Sequence, residues 1–215
     1  MKSDEFASLL CSRLCHDMIS PVGAITNALE LLDEDIDAET RTQVMALLTQ
    51  SATQTSRKLQ FFRLAFGAAG GFSETLDLRE AQKAAGGLLD SMRVEPTWTA
   101  DISSASKSSI KLLLCLILIT AETLVRGGRL EIDCPDMGDG KLSVMKLTAS
   151  GDRVVVLPGV ETILTQTAAH LSPEPRTAPA CLAALVAKEL NLQITLNTSE
   201  VDAETPTVSV SVAPL

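Results

Sequence analysis

The sequence predicts an α+β protein in two parts, an N-terminal helical hairpin over residues 1-70 and an α/β sandwich over residues 75-215. Three observations carry that prediction. Apolar residues recur at steps of three and four up to residue 66, "GAAGGFSE" at 67–74 interrupts the pattern, and short β-branched runs alternate with helix-like segments beyond it.

Residues 4–33 read as the first helix. Ser3 or Asp4 can cap it, and Asp4 and Glu5 suit the positive end of its dipole. Phe6, Leu10, Leu14, Met18, Val22, Ile25, Leu29 and Leu32 form one apolar stripe of helical period. "DEDIDAE" is a polar turn. The second helix runs from about Glu39 to Phe66, with Val44, Leu48, Ser51, Thr55, Leu59, Phe62 and Phe66 near heptad spacing. Two antiparallel helices cannot bury both stripes alone, so the hairpin is expected to dimerise into a four-helix bundle.

After the glycine-rich break, 76–92 reads as helix, "TWTAD" as strand and 107–125 as a strongly apolar helix. "GGRLEID" and "KLSVMKLTA" read as a strand hairpin, and "RVVVL" as a further short strand. Helices over 158–170 and 179–190 follow, then strands "LQITLN" and "TVSVSVA". Strands interleaved with helices and ending in antiparallel pairs predict the sandwich.

Composition narrows the function. A formal net charge of -9 argues against nucleic-acid binding, which needs basic patches to neutralise phosphates. "MKSDEFASLL" carries acids where a secretory signal needs basic residues. The most apolar run, "IKLLLCLILITAETLV", contains Lys111 and Glu122 and is too short to span a bilayer, which takes roughly 20 residues. Five cysteines without framework spacing suit a reducing compartment. A cytoplasmic protein without a membrane partner is expected.

"SRLCHDMISP" places a histidine, an acid and a proline inside the first helix. At about 100° per residue, His16 projects away from the apolar stripe, toward solvent. Ser12, Ile19, Ser20 and Gly23 share its face, a mostly small surface over which another protein can approach the ring. Arg13 is grouped with these as a docking residue. Asp17 lies on the stripe's flank, placed to orient the ring or accept a proton. Pro21 removes the donor that would bond the Asp17 carbonyl, at a cost of about 3 kcal/mol, and so kinks the helix beside the histidine. A neutral imidazole, with its ordinary pKa of about 6.5, can attack phosphorus and hold a covalent phosphoryl group.

Metal and haem fit less well. Cys11 and Cys15 are one turn apart and His16 follows, but haem attachment needs two residues between the cysteines and zinc needs four ligands. These cysteines are expected to be small core residues. An HD-type phosphohydrolase needs further histidines, and only His170, read as a surface residue, remains. "DMGDG" at 136–140 matches D-x-G-x-G but reads as a hairpin turn.

The first helix resembles the phosphoacceptor helix of histidine kinases, whose H-box sets an acid after the histidine and proline five positions on, as His16, Asp17 and Pro21 do. The rest resembles their ATP-binding domain, of the Bergerat (GHKL) fold. "KLLLCLILITAETLVRGGRLEI" is similar to the helix carrying the magnesium-binding Asn, followed by a glycine pair. Aligned on Gly127 and Gly128, the Asn position falls on Ile119 or Thr120. Near "LTASGD" only Gly151 and Asp152 stand for the adenine box, and "TAPACL", with Pro179, replaces the glycine-rich lid. With three nucleotide boxes missing, neither ATP binding nor autophosphorylation is expected.

A phosphoacceptor hairpin joined to a degenerate kinase domain resembles the ChpT-type histidine phosphotransferases of alphaproteobacteria. "RLCHDMISPVGAITNALELLDE" and "LQFFRLAFGA" carry the resemblance. It implies a homodimer with a dimerisation and phosphotransfer domain at 1-70 and an emptied ATP-binding domain at 75-215. It also implies a cell-cycle phosphorelay in which a CckA-like hybrid kinase donates through its receiver, and CtrA-like and CpdR-like response regulators accept. No cofactor of its own is implied, the Mg²⁺ coming with the partner receiver. On this reading His16 and Asp17 carry the chemistry. The rivals are a divergent active histidine kinase, which ATP alone would label, and a non-enzymatic receiver-binding adaptor, which would never acquire phosphate.

Overall fold

A computed structural model describes residues 3–67, 74–137, 141–165, 174–199 and 205–215. Helix α1 (Ser3–Leu32) and helix α2 (Ala38–Ala65) form the hairpin. Asp4 and Glu5 occupy the first turn of α1, so Asp4 lies inside the helix instead of capping it. Asp37 closes the turn by accepting a hydrogen bond from the Thr40 backbone at 2.8 Å, a side-chain N-cap for α2.

The second part begins with β1 (Thr75–Asp77), which takes the first two residues of the helix expected over 76–92. It pairs with β3 (Ser104–Ser106), which lies between the expected strand "TWTAD" and the helix expected from 107. Between them come α3 (Leu78–Ser91) and β2 (Val94–Ala100). Then follow α4 (Lys107–Glu122), β4 (Gly128–Cys134), β5 (Met145–Ser150) and α5 (Val160–Thr165). A 3₁₀ turn (Pro175–Thr177), α6 (Ala178–Glu189), β6 (Leu192–Thr198) and β7 (Thr207–Pro214) complete the order.

The main sheet runs β2-β4-β5-β7-β6, parallel at β2–β4 and antiparallel elsewhere. Pro96 is accommodated because β2 is an edge strand. Burial alternates along β4, β5, β6 and β7, so one face of the sheet is buried and the other is open. Helices cover the buried face. Within α4, Ile110 and every residue from Leu112 to Ala121 is buried, as expected of a helix apolar all round. It lies against β5 and β7 on one side and α2, α3 and α6 on the other.

"RVVVL" is no strand: Val154 makes only an isolated bridge to Leu124. The predicted helix 158–170 is α5 as far as Thr165, and His170 lies outside the described residues. So do 68–73 of the expected hinge and 138–140 of "DMGDG".

The hairpin does not stand apart. Phe61, Phe62, Leu64 and Ala65 of α2 belong to the same buried cluster as α4 and the sheet, and Phe6, Leu10, Leu14 and Met18 of α1 pack against it. Phe62 stacks on Phe66 at 5.1 Å between ring centres. The "LQFFRLAF" run is thus the joint through which the hairpin grips the sandwich.

The glycine pair before β4 has a steric cause. Gly127 has φ 81°, and a Cβ there would lie 2.4 Å from the Arg93 carbonyl oxygen; at Gly128, φ 147°, it would lie 2.4 Å from that of Ser150. Gly127→Ala is expected to cost about 1–3 kcal/mol through this strain, read as a thermal midpoint lowered by several degrees.

Candidate functional site

Helix α1 carries His16 on its outer face, with 64% of the side chain exposed. Ser12, Ile19 and Ser20 are exposed beside it and Gly23 is half-buried, with open space where a Cβ would be. Ile19 is 71% exposed, the most of any internal large hydrophobic among the described residues. Cys11 and Cys15 are also exposed, contrary to the core position expected of them: they lie on the outward side of α1, off the stripe. The buried thiols are Cys115, Cys134 and Cys181, and burial pushes those of Cys115 and Cys134 up to about 12, which keeps them protonated and inert.

Asp17 is the centre of a polar chain. Its Oδ1 lies 3.1 Å from Nδ1 of His16, and its Oδ2 accepts a hydrogen bond from Nε of Arg13 at 2.8 Å. Its backbone carbonyl accepts one from Nζ of Lys58 on α2 at 3.2 Å. This is the carbonyl that Pro21 leaves without a helical donor, so the second helix supplies the missing bond. Pro21 itself is buried.

Arg13 is not a docking residue. Only 6% of its side chain is exposed. The side chain points inward because its guanidinium forks across three acceptors: Asp17, the Glu122 carboxylate at the end of α4, and the Arg176 carbonyl of the 3₁₀ turn at 3.3 Å. Burial raises the pKa of Glu122, and the Arg13 charge pulls it partly back. Burial would lower that of Arg13, but Glu122 and Asp17 together raise it on balance. The resulting chain, His16–Asp17–Arg13–Glu122, ties the exposed ring to the sandwich. Lys58, Glu122 and Arg176 were not anticipated as part of it. A signal existed for Glu122, a lone acid closing the most apolar run in the chain.

Next to Glu122 is a cleft lined by Ile119, Thr120, Leu157, Val160, Ala180 and Leu196. Thr120 is fully buried and its Oγ1 has no hydrogen-bond partner among the described residues. At the position expected of a flexible lid, the 3₁₀ turn and α6 are helical, with Pro179 in the first turn of α6. Among the described residues no group of three or more His, Cys, Asp or Glu side chains could hold a metal ion. Nor is any described helix long and apolar enough to cross a membrane.

A helix-borne histidine, backed by a carboxylate and wired to an α/β sandwich, is the layout of the phosphotransfer class that the H-box resemblance implied. Residues 78–202 match the model of the histidine phosphotransferase C-terminal domain family, and the chain belongs to that family. It is 44% identical over 131 residues to the protein phosphotransferase ChpT of Brucella abortus (strain 2308), an alignment spanning 60% of this chain and 60% of that protein. A bacterial phosphotransferase of known structure superposes with a TM-score of 0.83 at 31% identity, covering 98% of this chain and 97% of that one. The Acinetobacter baumannii histidine kinase AdeS also matches, at 10% identity and a TM-score of 0.40 over 92% of this chain and 97% of that one.

Proposed function

We propose that the protein is a histidine phosphotransferase in which His16 relays a phosphoryl group between receiver domains. It takes the group from the receiver Asp of a hybrid histidine kinase and hands it to the Asp of response-regulator receivers. One observation carries the reading: His16 is exposed, Asp17 faces its Nδ1, and no hydrogen bond engages Nε2 among the described residues. An ionised carboxylate only accepts hydrogen bonds, so the neutral ring facing it carries its proton on Nδ1 and keeps the Nε2 lone pair free.

The step balances simply. The Nε2 lone pair attacks phosphorus, the P–N bond forms as the P–O bond to the receiver Asp breaks, and the electron pair leaves with that carboxylate. The Nδ1 proton stays on the ring, where Asp17 stabilises the positive charge acquired when Nε2 is phosphorylated. Such transition states are loose, so positioning and charge neutralisation dominate catalysis. The receiver brings its own cation, and this chain brings an oriented ring.

Ser12, Ile19, Ser20 and Gly23 are the proposed docking face. CckA-like donors and CtrA-like and CpdR-like acceptors are the proposed partners, by resemblance to the ChpT-type family. ATP is not expected to label the chain, because Ile119 or Thr120 stands at the Asn position and the Glu122 carboxylate is already held by Arg13. The test mixes the protein with a phosphorylated receiver. Acid-labile, alkali-stable label should appear on this chain and leave for a second receiver. Binding without label would instead favour an adaptor, and label from ATP alone a kinase.

A homodimer through the hairpin is part of the proposal. Val22 and Leu29 on α1 and Met45 and Leu59 on α2 are exposed in the single chain, and their spacings are multiples of seven. That spacing keeps each pair on one helix face. Leu29→Glu with Met45→Glu would place charges in the bundle seam and is expected to yield a monomer by light scattering.

A further inference from the structure

The contact between Asp17 and His16 is not what a helix gives by default. Consecutive residues point about 100° apart, and neighbours on a helix surface are three or four positions away. Something must turn the Asp17 carboxylate toward the ring. Its natural neighbour is Arg13, four positions back, and Arg13 holds Oδ2 while Oδ1 meets Nδ1. A free arginine would swing with its partner. This one is fixed from the other side by Glu122 and by the Arg176 carbonyl, both belonging to the sandwich. Lys58 clamps the Asp17 backbone from α2 as well. Asp17 is therefore held at three points, its carboxylate by Arg13 and the imidazole and its backbone carbonyl by Lys58.

We propose that Arg13, anchored on Glu122, is a positioning residue that aims Asp17 at Nδ1 of His16, so that the sandwich sets the tautomer of the phosphoacceptor ring. This rests on the phosphotransfer reading above. It gives the second domain a part in the chemistry that needs no nucleotide. Lysine cannot replace arginine here, because one ammonium on a flexible stem does not span Asp17, Glu122 and a carbonyl in a fixed fork.

The test uses full-length protein labelled with ¹⁵N at histidine. Only His16 and His170 contribute, and a His170→Gln sample assigns them. In the wild type the Nδ1–H tautomer of His16 should predominate about tenfold, the scale of one charge-assisted hydrogen bond. Arg13→Lys should bring that ratio to about twofold and slow phosphotransfer roughly tenfold, while far-ultraviolet circular dichroism stays unchanged. Should Arg13→Lys fold poorly, Arg13→Met with Glu122→Met removes both buried charges together, leaves neither unpaired, and should show the same tautomer change.

An unaltered tautomer ratio in a folded Arg13 variant, or wild-type transfer by it, overturns the inference and leaves Arg13 as a structural tie. A wild-type protein that never accepts phosphate sinks the phosphotransfer reading instead, and its tautomer ratio still reports on the clamp.

Discussion

A His16→Gln protein is expected to fold as the wild type does and to take no label from a phosphorylated receiver. The side chain is largely exposed and makes one polar contact, to Asp17, so its replacement should change stability by no more than about 0.5 kcal/mol. Glutamine fills similar space and offers an amide, which has no lone pair able to form the phosphoramidate. Loss of transfer should therefore fall below detection while the melting curve superposes on that of the wild type. His170 is the only other histidine in the chain, and His170→Gln should transfer normally. Label on the His16→Gln protein would place the acceptor elsewhere and remove the basis of the proposed mechanism.

The architecture was legible where periodicity is dense. The long helices α1 and α2, the buried α4 and the strands β4, β6 and β7 follow from apolar spacing, because each element exposes a repeating face to one core. Short elements were not. β1 and β3 have three residues each, fewer than any pattern can distinguish, and exist because each satisfies the other's backbone. "RVVVL" has strand composition but lies beside Leu124, where only one bridge forms, so propensity lost to tertiary placement.

The site divides along a similar line. The outward direction of His16 is a property of one helix, and a projection at 100° per residue recovers it. The direction of Arg13 is not. On α1 alone it looks like a surface charge next to the histidine; what turns it inward is Glu122, a sequence separation of 109 residues away. Cys11 and Cys15 went the other way, since small apolar size was read as burial although both lie off the stripe. That Pro21 leaves the Asp17 carbonyl without a helical donor was legible, whereas the Lys58 ammonium that takes up that carbonyl could not be foreseen from either helix separately.

The largest stability effect should come from Arg13→Met. It leaves the half-buried Glu122 without its partner, and breaking a buried pair from one side costs up to about 3–5 kcal/mol. Adding Glu122→Met should recover most of that loss, because two apolar side chains can fill the space without an unpaired charge. The deficit of the single variant should also depend on pH, with a definite sign. Burial already raises the Glu122 pKa, Arg13 lowers it in part, and Asp17 and Arg176 also face it, with opposing signs. Without Arg13 the folded-state value rises further above the unfolded one, which is about 4.3. Between those values the folded state binds more protons than the unfolded, so stability increases as pH falls. Denaturant melts at about pH 7.5 and pH 5 should therefore show the single variant gaining on the wild type at the lower pH, as the stranded carboxylate takes up a proton. The double variant, lacking that carboxylate, should show no such gain from Glu122. An equal deficit at both pH values, or a double variant no more stable than the single one, would mean that Glu122 is hydrated in the folded state and that apolar packing, not the Arg13–Glu122 pair, holds the hairpin to the sandwich.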